Sequence, residues 1–267
     1  MEIPNSSTVL VFDADLITYQ KGFKHEETPN FDIVSADIDK WVYSFFEKFG
    51  TSYYILYLTG KGNFREEIAV SHKYKDRPAR KPKWFKEIRE HLEYNHISEV
   101  AEGLEADDLI GIHLTENPNS IHIGIDKDIL QVQGWHYRYA THNSPEVPLR
   151  YISTEGFLEL DTSAKKKKLK GGGYPWLYAQ ALLGDRTDSI YGPDGYGDVK
   201  SYDTLKDCTT EREYYEAVLA VYKESFENPE ERLRENMNLL YMIRELDENG
   251  EPVLWEIPDE GTKEKLE

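Results

Sequence analysis

Cysteine is almost absent from this chain of 267 residues, in which Cys208 stands alone. A single cysteine cannot form an internal disulfide, so the sequence indicates a protein of a reducing compartment. No histidine or second cysteine lies near it in "KDCTTERE", which argues against a nucleophilic role.

Long apolar runs are missing as well. No stretch approaches the roughly 18 apolar residues that a membrane-spanning helix needs. The first residues, "MEIPNSSTVLVF", lack the basic and apolar regions of a signal peptide. From the sequence we expect a soluble, cytoplasmic protein with no membrane partner.

Positive charge is scarce, with 32 lysines and arginines against 50 acidic residues and a net charge of −18. This balance argues at first against a nucleic-acid partner, because phosphates attract lysine and arginine. However, many of the cations are clustered in "FREEIAVSHKYKDRPARKPKWFKEIR". Cations interleaved with an aromatic side chain can neutralise phosphates and stack on a base. This basic segment contains Arg65, Lys73, Tyr74, Lys75, Arg77, Arg80, Lys81, Lys83 and Lys86.

Apolar strands alternate with helices in the first half of the chain. Strands are predicted from Val9 to Phe12, in "SYYILYLTG" and in "SIHIGIDKD", and a helix that closes at Gly50 separates the first two. This alternation predicts a parallel, doubly wound α/β sheet.

The second half predicts mainly helices. They lie in "YPWLYAQALLGD", which ends at Gly184, and in "TEREYYEAVLAVYKESF" and "PEERLRENMNLLYMIREL". Upstream, "STEGFLEL" offers Ser153 or Thr154 as a helix cap. The run "KKKKLKGGG" is typical of a mobile surface loop, with loose DNA contact as the minor alternative.

Acidic side chains follow the predicted strands and begin the predicted helices. Functional groups collect beyond the carboxyl ends of parallel strands, so acids from distant segments can meet at one edge of the sheet. The acids in question are Asp13, Asp15, Glu105, Asp107, Asp108, Asp126, Asp128, Asp185 and Asp188.

Like charges this close together are costly unless something positive neutralises them. The eight histidines are scattered and no metal-spaced His or Cys set accompanies the acids, so each histidine is expected to be structural or exposed. Oxygen ligands alone favour Mg²⁺ or Mn²⁺ over zinc. Two such ions about 4 Å apart can activate a water and stabilise the leaving oxygen of a phosphodiester. The acids therefore predict a two-metal hydrolytic site.

Three glycines, Gly192, Gly195 and Gly197, separate the last two acids from a helix predicted to begin at Asp198. Glycines ahead of a helix let backbone N–H groups approach a phosphate closely. A glycine-rich turn is weak support by itself, and the two acids just upstream strengthen it.

Five motifs, "VFDAD", "KYKDRPARKP", "EADDLIG", "GIDKDILQV" and "LLGDRTDSIYGPDGYG", occur together and in order. Over about residues 8–205 the chain thereby resembles the 5′-nuclease superfamily. That group includes flap endonucleases, bacteriophage 5′→3′ exonucleases and the 5′-nuclease domain of bacterial DNA polymerase I, and the phage branch looks closest. The resemblance implies a PIN-like α/β core at residues 1–175 with a basic helical arch at about 64–96. It implies a helical region at 176–267 with a helix–three-turn–helix element at about 181–206.

The resemblance also implies an activity. This would be a 5′→3′ exonuclease or flap endonuclease that uses two Mg²⁺ ions, for which Mn²⁺ can substitute. Its substrates would be DNA with 5′ ends, flaps or nicks, with RNA–DNA hybrid as an open alternative. A role in DNA replication follows, with partners that the sequence does not identify, in the host cytoplasm if the chain is phage-encoded.

Site residues are carried over from the resemblance position by position. Asp13, Lys75 and Arg77 would be catalytic, the last two contacting the scissile phosphate from the arch. The glycine-rich turn would grip the duplex backbone and could hold a monovalent cation. The metal ligands, direct or indirect, would be Asp13, Glu105, Asp107, Asp108, Asp126, Asp128, Asp185 and Asp188. The DNA contacts would come from Arg65, Lys73, Tyr74, Arg80, Lys81, Gly192, Gly195, Gly197 and Lys200.

One position departs from the family pattern, because Thr59 stands where an acid is expected after the second strand. The change removes one negative charge near a metal, which Asp15 or a water could offset.

Two alternatives stay open. "VFDAD" also resembles the nucleophile motif of haloacid-dehalogenase-type phosphatases, in which Asp13 would be phosphorylated and Asp15 would be the general acid. That interpretation leaves "EADD", "DKD" and the basic segment unexplained. The other alternative is a non-catalytic DNA-junction binder, with Thr59 as the first sign of a decayed site, although eight matching acids remain.

Overall fold

The structure, a computed structural model, describes residues 4–76 and 79–259 of the chain. Among these residues, no helix is both long and apolar enough to cross a bilayer. In chain order the elements are β1 (Val9–Asp13), α1 (Ala14–Lys24), α2 (Phe31–Phe49), β2 (Tyr54–Thr59), α3 (Phe64–Ile68), α4 (Phe85–Asn95), β3 (Ser98–Ala101), α5 (Ala106–Glu116), β4 (Ser120–Gly124), β5 (Gly134–Arg138), β6 (Val147–Ile152), β7 (Phe157–Asp161), β8 (Lys168–Gly172), α6 (Gly173–Leu183), α7 (Asp198–Leu205), α8 (Glu211–Ser225) and α9 (Pro229–Leu240).

Two compact units make up the described chain. The first comprises residues 4–64, 79–129 and 134–151, and the second comprises residues 65–76, 130–133 and 152–259. These units divide the chain differently from the predicted boundary at residue 175, because β7 and β8 pack against α6 in the second unit.

A sheet of six described strands forms the centre of the first unit, in the order β3-β2-β1-β4-β5-β6. The five neighbouring strands β3, β2, β1, β4 and β5 run parallel. Phe12 of β1 lies beside Leu56 of β2 and Ile123 of β4. Strands β2 and β3 extend the sheet on one side of β1, and β4 and β5 extend it on the other. The strand order therefore reverses between β1 and β4, which is where parallel sheets open a crevice beyond their carboxyl ends.

Helix α2 covers this sheet with an apolar stripe at helical spacing. The Phe45 ring meets the Phe12 ring edge-on, with 5.5 Å between the centroids. Gly50 ends the helix at a φ of 67°, a left-handed conformation that costs glycine least. The helix and glycine cap predicted from the sequence are confirmed. The buried stripe consists of Val34, Ile38, Val42, Phe45 and Phe49.

Helix α6 is the centre of the second unit and is buried along almost its whole length. Helices α7, α8 and α9 pack against it, as the strands β7 and β8 do. Tyr222 of α8 donates its hydroxyl to the Ala181 carbonyl of α6 at 2.8 Å, and Asn236 of α9 donates to the same hydroxyl oxygen at 2.8 Å. A helix that is apolar on all sides must be covered on every side by other elements. The helices predicted in this half of the chain are confirmed, except that α9 ends at Leu240 and not at Leu246 as "PEERLRENMNLLYMIREL" predicts.

Two sequence predictions in the second unit are wrong. Residues after Ser153 and Thr154 do not begin a helix, because Phe157–Asp161 is strand β7 and pairs antiparallel with β8. The expected mobile loop at residues 165–173 is strand from Lys168 onward for the same reason. Gly156, with a φ of 50°, makes the pairing possible, since a side chain there would overlap the Gly172 carbonyl.

Candidate active site

Asp13 ends β1 at the crevice between β1 and β4. Its half-buried side chain caps α1, because Oδ1 accepts the Leu16 N–H at 3.0 Å. Burial, followed by the negative charges of Asp15 and then Asp126, raises the pKa of the Asp13 carboxyl to about 7. The acid at the end of β1 therefore interacts with the acid that follows β4.

Asp107 lies in the first turn of α5, and its Oδ1 is buried without a hydrogen-bond partner among the described residues. Burial is the largest cause that raises the pKa of Asp107 well above its usual range. The charges of Asp13 and Asp126 come next, followed by those of Glu105 and Asp108. A buried carboxylate oxygen without a partner destabilises the folded chain. Three segments of the first unit thus bring acids within electrostatic reach of one another.

Asp126 and Asp128 follow β4. The exposed Asp126 accepts the Asp128 N–H through Oδ1 at 2.8 Å, and a short 3₁₀ helix begins at Asp128. This turn holds the Asp126 carboxylate at the end of β4, beside β1. The Lys127 ammonium lies 4.0 Å from Oδ1 of Asp128, which is half-buried.

Asp13, Asp107 and Asp126, here called the acid cluster, fit a hard divalent cation. Their donors are carboxylate oxygens, which Mg²⁺ and Mn²⁺ prefer. A cation would supply the partner that Oδ1 of Asp107 lacks. It would also favour the ionised forms of Asp13 and Asp107, whose pKa values burial and mutual repulsion raise.

Asp108 is placed differently from the prediction that it is a metal ligand. Its side chain is fully buried, and Oδ2 accepts the backbone N–H of Glu105 at 3.0 Å. Glu105 is the N-cap residue of α5. Asp108 therefore fixes the start of the helix that carries Asp107, while the Glu105 side chain is half-buried at the edge of the acid cluster.

Thr59, the departure from the family pattern, ends β2 inside a hydrogen-bonded network. Asp15 accepts the Thr59 N–H at 2.9 Å and forms an ion pair with Arg89. Arg89 also donates to the Thr59 carbonyl at 2.6 Å, and the Thr59 hydroxyl accepts the Ala106 N–H at 2.9 Å. Asp15 is therefore paired with Arg89 and with the Thr59 N–H. These contacts direct its carboxylate away from the general-acid role of the phosphatase alternative, which requires contact with a substrate.

Sequence reasoning assigned no role to Arg89, the last residue of the quoted basic segment. It lies in "WFKEIREHLE", where charges of both signs alternate as they do on a solvated helix face. No spacing rule distinguishes it from Lys86 or Glu90. Its contact with Asp15 depends on the packing of α4 against α1, which only the fold reveals.

Asp185 and Asp188 lie together in the second unit, in the turn after α6. Asp185 accepts the Thr187 N–H at 2.7 Å and the Asp188 N–H at 3.3 Å through Oδ1. Oδ2 of Asp188 accepts the Tyr74 hydroxyl at 3.0 Å and lies 3.8 Å from the Lys75 ammonium.

The backbone at Lys75 is held in an unusual conformation. Its φ is 47°, which is uncommon for a residue with a side chain. The Lys75 N–H donates to the Asp188 carbonyl at 3.1 Å, and the Asp76 N–H donates to the Ser189 hydroxyl at 3.3 Å. Such strain persists only where the surroundings fix it, so the base of the basic segment is bound firmly to the acidic turn.

Arg65 and Tyr74 are placed differently from the prediction that they contact DNA. Arg65 is buried, and its guanidinium donates to the carbonyls of Leu239 at 3.0 Å and Tyr241 at 2.7 Å. Tyr74 is buried in the core of the second unit with its hydroxyl on Asp188. Neither ring nor guanidinium has the accessible surface that a base or phosphate needs, so Arg65 anchors α3 and Tyr74 orients Asp188.

Apart from Arg89, which is half-buried, the other described cations of the basic segment are exposed and lie beside aromatic rings or acids. Lys81 lies over the Phe85 ring at 4.6 Å, and Arg80 lies over the Phe23 ring at 5.5 Å and pairs with Glu26. Lys73, Lys75, Arg80, Lys81, Lys83 and Lys86 are exposed. Arg77, predicted to be catalytic, lies outside the described residues.

The glycine-rich turn connects α6 to α7 as predicted. Gly192 packs so closely on α6 that a side chain would overlap the Leu182 carbonyl, whereas a side chain at Gly195 or Gly197 would meet open space. Gly197 is the N-cap of α7, and the exposed Lys200 in the first turns lies 3.8 Å from the Tyr196 ring centroid. Open backbone at a helix N-terminus beside a cation suits an anionic ligand.

No family model matches the sequence, and no curated protein matches it. Solved structures do match its fold. The T5 D15 protein co-crystallised with metal ions has a TM-score of 0.54 at 15% identity, covering 87% of this chain and 88% of that chain. The bacteriophage T5 D15 flap endonuclease in complex with DNA and metal ions has a TM-score of 0.55 at 14% identity, with the same coverage. The catalytic core of Rad2 with a DNA substrate has a TM-score of 0.50 at 16% identity, covering 94% of this chain and 83% of that chain. The predicted fold is confirmed: this chain has the PIN-like α/β fold of the 5′-nucleases.

Proposed function

We propose that this protein is a divalent-metal-dependent 5′-nuclease that hydrolyses DNA phosphodiesters near 5′ ends. The observation that carries the proposal is the pair Asp13 and Asp107. Both pKa values are raised, and Oδ1 of Asp107 is buried without a partner among the described residues, at the strand-order reversal of the sheet. The fold is shared with a flap endonuclease in complex with DNA and metal ions and with the catalytic core of Rad2 in complex with a DNA substrate.

In this proposal, Asp13, Asp107 and Asp126 hold Mg²⁺ or Mn²⁺ directly, and Asp108 fixes the start of α5. Glu105, Asp128, Asp185 and Asp188 are the remaining candidate ligands that the sequence resemblance implies. When bound, two ions would supply an activated water and charge stabilisation for the leaving oxygen. The carboxylates of this chain must be ionised to bind a metal ion, so metal affinity should depend on pH in a way that can be measured.

Cations of the chain bind the substrate. In the proposal, Lys75, whose ammonium lies 3.8 Å from Oδ2 of Asp188, stabilises charge developing on a phosphate. Lys73, Arg80, Lys81 and Lys200 are exposed and suit contacts to the DNA backbone. The glycine-rich turn completes the proposed duplex contact, with a monovalent cation as part of the proposal. The proposed substrates are DNA with 5′ ends, flaps or nicks.

The test uses a duplex with a single-stranded 5′ flap, labelled at either end, at low salt. Wild type, Asp126→Asn and the matched exposed-acid control Asp32→Asn are incubated with Mg²⁺, Mn²⁺ or EDTA. We expect metal-dependent products released from the 5′ side by wild type and Asp32→Asn only. Product length separates exonucleolytic cutting from flap cutting.

Two other results would contradict the proposal. Tight flap binding without cleavage under either metal would indicate the non-catalytic junction binder. Neither binding nor cleavage, combined with hydrolysis of a small phosphate ester, would indicate the phosphatase alternative.

A further inference from the structure

Two histidines that look scattered in the sequence share one carboxylate oxygen in the structure. Nε2 of His91 lies 2.6 Å from Oδ1 of Asp39, and Nε2 of His96 lies 3.0 Å from the same oxygen. Asp39 is on α2, His91 is on α4 and His96 follows the end of α4. The ligand atoms of the three residues all lie within 4.8 Å of one another.

This triad is separate from the acid cluster. Tyr54, whose hydroxyl lies 3.1 Å from Nδ1 of His96, begins β2, whereas Thr59 ends β2 in the network with Asp15 and Arg89. Thr59 lies five residues along the strand from Tyr54, a distance of about 17 Å. The triad therefore lies toward the opposite end of the sheet.

The surroundings of the triad resemble those of a built metal site. A metal-binding histidine usually bonds its second ring nitrogen to an outer partner, which fixes the ring. Tyr54 does this for His96, and the Phe31 ring packs edge-on at 6.1 Å from His91. The His96 side chain has no exposed surface, whereas Asp39 is 36% exposed, so one side opens to solvent.

The donor chemistry selects a borderline cation over a hard one. Two imidazoles and one carboxylate suit Zn²⁺. Four residues separate the two histidines, a spacing that zinc sites use and that the prediction of scattered histidines overlooked. Tetrahedral Zn²⁺ with bonds of about 2.0–2.2 Å places its ligand atoms about 3.3 Å apart. Each histidine nitrogen lies 2.6 or 3.0 Å from Oδ1 of Asp39, and all three ligand atoms lie within 4.8 Å of one another, so rotation of the rings brings them to the separations of a tetrahedral ion.

We propose that Asp39, His91 and His96 bind one Zn²⁺ ion with water as the fourth ligand. The site joins α2 to the end of α4 and stabilises the first unit when zinc is present. Its occupancy is independent of the acid cluster and of nuclease activity. The competing explanation is a hydrogen-bonded triad that binds no metal.

Cobalt is the probe for the test, because four-coordinate Co²⁺ with imidazole ligands absorbs visible light far more strongly than six-coordinate Co²⁺ with oxygen ligands. Titrations compare wild type with His91→Gln, with the exposed-histidine control His72→Gln, and with the double variant Asp107→Asn/Asp126→Asn. We expect strong absorption at one Co²⁺ per chain in all proteins except His91→Gln, and its displacement by one equivalent of Zn²⁺.

Absence of the strong band in wild type, or its persistence in His91→Gln, would overturn the proposal. Loss of the band in the Asp107→Asn/Asp126→Asn variant alone would assign the ion to the acid cluster instead. If circular dichroism shows that His91→Gln is unfolded, X-ray absorption of the zinc-loaded Asp107→Asn/Asp126→Asn protein decides the question. Two imidazoles per zinc support the site, and an all-oxygen shell contradicts it.

Discussion

Arg89 and Asp15 form a half-buried ion pair at the edge of the acid cluster, and Arg89 also donates to the Thr59 carbonyl at 2.6 Å. The arginine therefore neutralises the acid nearest to the position where the family pattern expects another carboxylate. The charge of Asp15 already raises the pKa of Asp13. We infer that Arg89 sets how much negative charge surrounds Asp13.

Arg89→Gln should leave Asp15 unpaired and lower the free energy of unfolding by about 1–3 kcal/mol. It should also strengthen Mn²⁺ binding near neutral pH, because the unpaired Asp15 carboxylate attracts a divalent cation more strongly than it opposes the ionisation of Asp13. Adding Asp15→Asn should reverse much of both effects. Urea unfolding and Mn²⁺ titration of the two single variants and the double variant form a cycle, and strictly additive effects would contradict the coupling.

Asp107→Asn should stabilise the metal-free protein at neutral pH and above. The folded-state pKa values of Asp13 and Asp107 lie above their usual range, so the folded chain holds protons that the unfolded chain has released. For Asp13, stability is highest below about pH 4 and is lost as the pH rises through about 7. We expect a gain of roughly 1–3 kcal/mol by urea unfolding in EDTA, together with loss of the stabilisation that Mn²⁺ confers on wild type. A destabilised variant would count against the account.

Metal affinity should fall as the solution becomes more acidic than about pH 7, the value to which the Asp13 pKa is raised. With one proton displaced, the decline is roughly tenfold per pH unit below that value. Electron paramagnetic resonance of free Mn²⁺ measures the affinity directly. A Mn²⁺ affinity that does not change between about pH 6 and about pH 8 would show that Asp13 is already ionised in the metal-free protein.

Acid should also destabilise the protein through a buried histidine pair in the sheet. Nδ1 of His122 lies 3.3 Å from Nδ1 of His136, and burial followed by the charge of His136 lowers the pKa of His122 well below its usual value. The unfolded chain therefore gains the proton first, so stability falls as the pH drops below about 6.5. His122→Val should flatten this decline, whereas the exposed-histidine control His142→Gln should keep it. If stability declined equally with falling pH in both variants, the His122–His136 pair would be excluded as the cause of the decline.

From the sequence, both Arg65 and Lys81 were predicted to contact DNA. The structure predicts that substitutions at these two positions have opposite effects on stability and on the salt dependence of DNA binding. Arg65→Met should cost about 2–4 kcal/mol of stability by leaving two carbonyls unpaired, with the salt dependence of DNA binding unchanged. Lys81→Ala should leave stability within about 0.5 kcal/mol and reduce the salt slope by about 1. Denaturant unfolding measures the stability of both variants, and duplex binding at several salt concentrations measures their salt slopes. A reduced salt slope in Arg65→Met would show that Arg65 does contact DNA.

Local signals explain what the sequence predicted correctly. The stripe on α2, the caps at Gly50 and Gly184 and the buried β1 are properties of short segments, so pattern reasoning finds them. The four-residue β3, "SEVA", carries too little apolar pattern to be recognised. The hairpin of β7 and β8 depends on pairing between segments, which outweighed the cap signal at Ser153.

Burial of polar side chains is the part that the sequence could not supply. A charge in a basic segment is expected to be exposed, yet Arg65 packs beneath α9 and Tyr74 enters the core of the second unit. The acids were identifiable because motif order placed them at strand and helix ends. Their partners, such as Arg89 for Asp15, belong to elements whose packing no local pattern encodes.

The most direct test of the central claim is single-turnover cleavage of a 5′-flap duplex by wild type, Asp107→Asn and Asp32→Asn in Mg²⁺ and in EDTA. The account predicts cleavage by wild type and Asp32→Asn in Mg²⁺ only. It also predicts that Asp107→Asn binds the flap but cleaves it slower by orders of magnitude. Cleavage by Asp107→Asn at the wild-type rate, or undiminished cleavage in EDTA, would contradict the assignment of a metal-dependent nuclease to this acid cluster.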